Sequence, residues 1–141
     1  MPIDNYQVSL KVFLKNETGE TLILQNSQSH GDSVYYDFPG GRIDADEFRV
    51  DYETILLREI TEELWADVRV SLSTKPVSIS RLENPRHGMR VFHVFFEAKY
   101  LWWDIAISDE HSSYQWVKLD SICPEEYFMS GMLEWVKNYL K

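Results

Sequence analysis

Val8, Leu10, Val12 and Leu14 fall at every second position between Tyr6 and Leu14, the spacing of a half-buried strand. Asn16 to Glu20, with Gly19, predicts a turn. The apolar run Thr21 to Gln25 predicts a second strand, so the chain should open with a hairpin. Asn26 to Ser33 is polar and predicts a loop. Val34 to Phe38 predicts a short aromatic strand that Pro39-Gly40-Gly41 should end. After an acidic loop from Asp44 to Asp51 the period changes: Leu56, Ile60 and Leu64 recur every four residues with Leu57 beside them, predicting a helix from Tyr52 to about Leu64. Val68 to Leu72 and Pro76 to Leu82 read as extended, Glu83 to Gly88 as a turn, and Met89 to Tyr100 as a long central strand. Ser108 to Ser113 predicts a loop and Tyr114 to Leu119 a strand. From Pro124 onward Met129, Met132, Leu133, Val136 and Leu140 form the apolar face of a last helix. Strands precede, separate and follow the helices, without repeat or linker. The expectation is a mixed α/β layer structure, one domain over residues 1–141.

Composition narrows the function classes. The chain is 44% hydrophobic and 14% aromatic, which suits a packed core. Its formal net charge of -9 argues against a protein whose main task is gripping a nucleic acid backbone. A nucleotide substrate stays open, because divalent cations can sit between protein carboxylates and phosphates. Cys123 is the single cysteine, so no internal disulfide can form, and a reducing, cytoplasmic setting is expected. Met1 to Gln7 has no apolar run of the signal-peptide kind, and the apolar stretches are of strand length, so no membrane association is expected.

The chemistry concentrates between Gly40 and Ala66. At about 100° per helical residue, Glu59, Glu62 and Glu63 share one face about 100° wide, beside the apolar stripe of Leu56, Leu57, Ile60 and Leu64. Such crowding is unfavourable unless cations are present, and hard divalent ions such as Mg²⁺ prefer oxygen ligands. Arg58 stands one turn before Glu62, where an ion pair can form. Upstream, Gly40-Gly41 lets backbone approach a ligand closely, since no Cβ intrudes. A glycine turn leading to a carboxylate helix is compatible with a metal-phosphate site, and the alternative is a solvated acidic helix face.

This segment resembles the Nudix box, G-x5-E-x7-R-E-U-x-E-E-x-G-U, with U a bulky aliphatic residue. Gly41 followed by five residues and Glu47 matches its start, Arg58-Glu59-Ile60-Thr61-Glu62-Glu63 matches R-E-U-x-E-E, and Phe38-Pro39-Gly40-Gly41 is similar to the usual lead-in. There are two departures: ten residues rather than seven separate Glu47 from Arg58, and Trp65 and Ala66 replace the box glycine and its aliphatic neighbour. A longer loop is cheap. Trp65 alters the helix exit, since glycine suits a left-handed cap.

The resemblance implies a Nudix α/β/α sandwich, with a mixed sheet flanked by the box helix and a C-terminal helix. It implies a pyrophosphohydrolase that cleaves a nucleoside diphosphate derivative by water attack on phosphorus. Glu59, Glu62 and Glu63 would ligate Mg²⁺ or Mn²⁺, with the Gly41 carbonyl as a further ligand and Arg58 holding a glutamate in place. Glu47 either reaches the metals or supports the loop. Glu110, before YQWVKL, is the candidate for an extra loop acid, with Asp109 and Glu97 as rivals; Gly40 and Gly41 would meet substrate. His87, His93 and His111 lack zinc-ligand spacing. Arg42, Arg81, Arg86 and Arg90 could meet phosphates, and Tyr35, Tyr36, Trp102, Trp103 and Phe128 could stack on a base or pack the core. The implied partner is a small-molecule nucleotide, without stable nucleic acid binding, and a homodimer is compatible with the family. The alternative is a Nudix-like nucleotide-binding or regulatory domain without turnover, though such domains usually lose box glutamates that this chain keeps.

Overall fold

The computed structural model describes residues 1–27, 34–64, 69–84, 88–101 and 105–141. In order these form β1 (Gln7–Lys15), β2 (Thr21–Asn26), β3 (Tyr36–Asp37), β4 (Gly40–Arg42), a 3-10 turn at Ala45–Glu47, α1 (Tyr52–Leu64), β5 (Val70–Leu72), β6 (Ser78–Asn84), β7 (Met89–Tyr100), β8 (His111–Val117), α2 (Pro124–Tyr127) and α3 (Ser130–Leu140). Trp65, Ala66, Arg86, His87, Trp102 and Trp103 lie outside the described residues.

β1 and β7 run parallel through the centre, paired from Gln7↔Val91 to Lys15↔Lys99. β6 and β5 add antiparallel to β7, and β8 adds antiparallel to β2. The opening hairpin is only a tip. Asn16 closes its turn by accepting from Thr18 N and Glu20 N at 3.1 and 2.9 Å, yet β1 and β2 pair only at Lys15↔Thr21. Beyond that point the strands part, and Tyr36–Arg42 enters the fork. Its first half pairs with β2 (Leu24↔Asp37) and its second half with β1 (Lys11↔Gly40, Ser9↔Arg42). Pro39-Gly40-Gly41 therefore does not stop pairing as expected; it transfers the segment from one strand to the other. Val12 N donates to the Pro39 carbonyl at 2.9 Å across the junction. Gly40 has φ +138°, and a Cβ there would collide with the Leu10 carbonyl.

Helices cover both faces, as an α/β/α sandwich requires. Strand alternation divides the core: Leu10, Val12, Leu14, Leu22, Leu24, Phe96 and Ala98 pack with Ile55, Leu56, Ile60 and Leu64 of α1. On the other face Phe13, Ile23, Phe38 and Phe95 pack with Phe128, Met132 and Val136. The last helix is broken where sequence predicts continuity. Phe128 and Met129 are extended (ψ 143° and 156°), which lets Phe128 stack on Phe38 at 5.2 Å between ring centres. β8 begins at His111, three residues earlier than expected, and takes part of the predicted loop into the sheet. Among the described residues no helix is long and apolar enough to cross a membrane.

Candidate active site

Asp51 starts α1 by accepting Thr54 N at 2.8 Å, an N-cap that sets the phase of the carboxylate helix. The helix does not present its glutamates as a separate solvated stripe. Ile55, Leu56, Ile60, Glu63 and Leu64 are buried together, so the apolar arc takes in Glu63 and leaves Glu62 outside it. The Glu63 side chain is 5% exposed, whereas that of Glu62 is 58% exposed. Gly40 N donates to Glu63 Oε1 at 3.0 Å, joining the fork strand to the helix. Burial pushes the Glu63 carboxyl up to about 8, against the nearby charge of Lys11 and the Gly40 bond. Burial likewise raises the Glu59 carboxyl, against Arg58. Gly41 lies against Glu59 so closely that a Cβ would overlap its carboxylate.

Arg58 gathers the outer carboxylates. Its guanidinium donates to both oxygens of Glu47 at 3.1 and 2.8 Å, lies 3.0 Å from Glu59 Oε1, and bonds Glu62 at 3.3 and 3.2 Å. Bonding to Glu47 foremost raises its pKa further. Glu47 also accepts Asp44 N at 3.0 Å, so the lengthened loop folds back and delivers Glu47 to the helix. The exit of α1 is held by the segment before β8: Ala106 N and Ser108 N each donate at 3.0 Å to the carbonyls of Leu64 and Glu63. This brings His111 Nδ1 to 3.9 Å from Glu63 Oε2. Glu110 is exposed in the adjoining turn, beside His111 but bonded to none of the helix glutamates. Of its rivals, Asp109 accepts Ser27 Oγ through its carbonyl at 2.9 Å. Glu97 accepts the Tyr139 hydroxyl at 2.7 Å on the α3 side of the sheet.

On the opposite side of the fork strand lies an open cleft of about 780 Å³. Lys11, Asp37, Gly41 and His93 line its polar part, and Tyr35 and Phe128 its aromatic part. Lys11 Nζ donates to Asp37 Oδ2 at 3.1 Å and to the Phe38 carbonyl at 3.3 Å. Burial opposes the Lys11 charge, but Asp37 and Glu63 outweigh it and hold the ammonium above its usual pKa. Lys11, Asp37 and His111 were not singled out as site residues from sequence. In the sequence Lys11 alternates with Leu10 and Val12 and falls on the face opposite them, so it carried no signal that set it apart from an outward strand residue.

A hard divalent cation fits the donor chemistry. The oxygen donors of Glu59 and Glu63 lie against a glycine backbone whose missing side chain leaves room, and a buried carboxylate such as Glu63 calls for a cation. Glu62 is turned to Arg58, and among the described residues no three acidic, histidine or cysteine side chains converge on one point.

The model of the NUDIX domain matches residues 5–139. A solved structure of the MutT protein from Methanosarcina mazei Go1 is similar at TM-score 0.78 and 25% identity, over 95% of this chain and 92% of that one. An Ap4A hydrolase from C. elegans is similar at TM-score 0.71 and 20% identity, over 95% of each chain. An ADP-ribose pyrophosphatase from Streptococcus suis is similar at TM-score 0.65 and 17% identity, over 96% of this chain and 88% of that one. No curated protein sequence matches the chain. The chain belongs to the NUDIX family and is a hydrolase of phosphorus-containing acid anhydrides.

Proposed function

We propose that the chain, as one domain, is a metal-dependent pyrophosphohydrolase that cleaves the diphosphate linkage of a nucleoside diphosphate derivative. The observation that carries this reading is the position of Gly41, which lines the cleft on one side and touches Glu59 on the other. A cleft of this size suits a small molecule. A nucleoside held there would lay its phosphates across Gly40 and Gly41, toward α1. Glu59, Glu62 and Glu63, with the Gly41 carbonyl and with Glu47 beside them, are the groups that would hold Mg²⁺ or Mn²⁺. When bound, the cation supplies charge neutralisation at the phosphoryl oxygens and lowers the pKa of water.

The protein's own part is positional. Arg58 holds the outer glutamates in one array, Gly40 N–H orients Glu63, and one of the helix glutamates, or Glu110 in the turn before β8, is the carboxylate proposed to take the proton of the attacking water. Water oxygen bonds to phosphorus and the bridging P–O bond breaks. Each fragment leaves with a terminal phosphate, or a nucleoside triphosphate releases pyrophosphate. The small-molecule substrate and the lone exposed thiol of Cys123 suit a cytoplasmic enzyme without nucleic acid or membrane partners. Sedimentation would test the homodimer that the family allows.

The test is a phosphate-release screen over nucleoside triphosphates, dinucleoside polyphosphates, ADP-ribose and nucleotide sugars, with Mg²⁺ or Mn²⁺ and with chelator. Cleavage of one class that stops with chelator supports the reading. Nucleotide binding without turnover across the panel would replace it with the binding-domain alternative.

A further inference from the structure

A lysine on a central strand ordinarily turns its ammonium to water, because burying an isolated charge costs several kcal/mol. Lys11 does the reverse: its side chain is 11% exposed. Its ammonium meets Asp37 Oδ2 at 3.1 Å, the Phe38 carbonyl at 3.3 Å and the Gly40 carbonyl at 3.5 Å, the last at the outer edge of bonding. The two carbonyls flank Pro39, which has no N–H with which to be held. Asp37 completes the clamp by accepting Phe38 N at 2.7 Å. Gly40 is thus gripped on its carbonyl side by Lys11 and on its N–H side by Glu63, at 3.0 Å. Gly41, the next residue, lies against Glu59.

We infer that Lys11 is a positioning residue for the proposed metal site, bracing the Phe38–Gly40 backbone so that Gly40 and Gly41 meet Glu63 and Glu59. This role rests on the metal reading above. It makes a prediction of opposite sign to simple electrostatics. Lys11 is a positive charge near the carboxylates, so on Coulomb grounds alone its removal should tighten divalent-cation binding. If it braces the glycines, removal loosens the site and weakens binding.

The experiment titrates Mn²⁺ alone into the full chain by calorimetry, for wild type, Glu63→Gln, Lys11→Met and the double variant Lys11→Met/Asp37→Asn. The double variant removes the carboxylate charge that Lys11→Met would strand, while the Asn oxygen still accepts Phe38 N–H, so it should melt closer to wild type. The expected outcome is Mn²⁺ affinity about 10-fold weaker or more in both Lys11 variants, the usual cost of losing a group that orients ligands. Unchanged or tighter affinity in the folded double variant would overturn the role, whatever its melting temperature. If wild type and Glu63→Gln bind Mn²⁺ alike, the metal reading itself has failed and this role falls with it. If wild type binds more tightly than Glu63→Gln but equals the Lys11 variants, only the role of Lys11 falls.

Discussion

Arg58 shows what a planar guanidinium can do that an ammonium cannot. It bonds Glu47 through two nitrogens and reaches Glu59 and Glu62 with the remaining face, so one side chain sets the spacing of three acids. Arg58→Lys keeps the charge but can satisfy only part of that set. The expected outcome is a loss of about 10- to 100-fold in kcat/KM, with Mn²⁺ affinity falling in parallel; kinetics beside calorimetry checks it, and wild-type values for both would remove Arg58 from the array. Glu63 supports a second test because it is both buried and bonded. Glu63→Gln keeps the oxygen that accepts Gly40 N–H and removes the titratable carboxyl from the interior. Turnover should fall by about 10³-fold or more, as for a lost electrostatic group, while the melting temperature without metal stays level or rises. Glu63→Ala leaves Gly40 N–H without its acceptor and should cost about 1–3 kcal/mol of stability. A Glu63→Gln protein that unfolds early would show that the carboxylate is structural.

At the scale of elements, the fork strand is where fold and site coincide. Gly40→Ala would set a Cβ against the Leu10 carbonyl at a φ of +138°, and backbone on a central strand cannot move aside. The expected cost is about 2 kcal/mol or more, read from chemical denaturation. At Gly41→Ala the nearest atoms the new Cβ meets are the flexible end of Glu59, so it should fold with near-normal stability and lose activity. The reverse ranking, with Gly41→Ala the less stable protein, would contradict the fork geometry. The carboxylate helix was legible in the sequence because a 3.6-residue period depends on the segment alone, and the strands were legible from their alternation. The fork was not, because which strand Gly40–Arg42 joins depends on partners about thirty residues away, at Ser9 to Lys11. The burial of Glu63 was hidden for a related reason: a glutamate beside an apolar stripe looks solvated until a second element lends it an N–H. Lys11 looked like an outward strand residue, since alternation assigns a face but not what covers it. The break at Phe128 was missed because Met129, Met132 and Leu133 keep a helical rhythm across it.

Across the whole molecule, buried ionisable groups couple stability to pH, and His93 gives the clearest case. It lies in the sheet under the cleft, 5% exposed, and burial, helped by the Lys11 charge, pushes its pKa down from 6.5 to about 4. The unfolded chain therefore takes up this proton near pH 6.5 and the folded chain only near pH 4. Between those values the unfolded state binds more protons, so the contribution is full above pH 6.5, declines as pH falls, and is gone below about 4. A shift of that size corresponds to a loss on the order of 3 kcal/mol. Glu63 has the opposite sign: its raised pKa makes the metal-free protein lose stability as pH rises from about 4.5 toward 8. The two windows overlap between about pH 4.5 and 6.5, where the opposite slopes offset each other in the wild-type profile; above 6.5 the Glu63 loss stands alone. A His93→Gln variant separates them, because the Glu63 contribution is common to both proteins and cancels in the difference. Urea denaturation in chelator at pH 4.5, 5.5, 6.5 and 7.5 should show the gap, wild type minus variant, moving steadily against wild type below pH 6.5 and holding constant above it. A gap that stays constant across all four would mean that His93 takes up its proton in the folded protein as readily as in the unfolded chain, and that the polar floor of the cleft is wetter than its packing indicates.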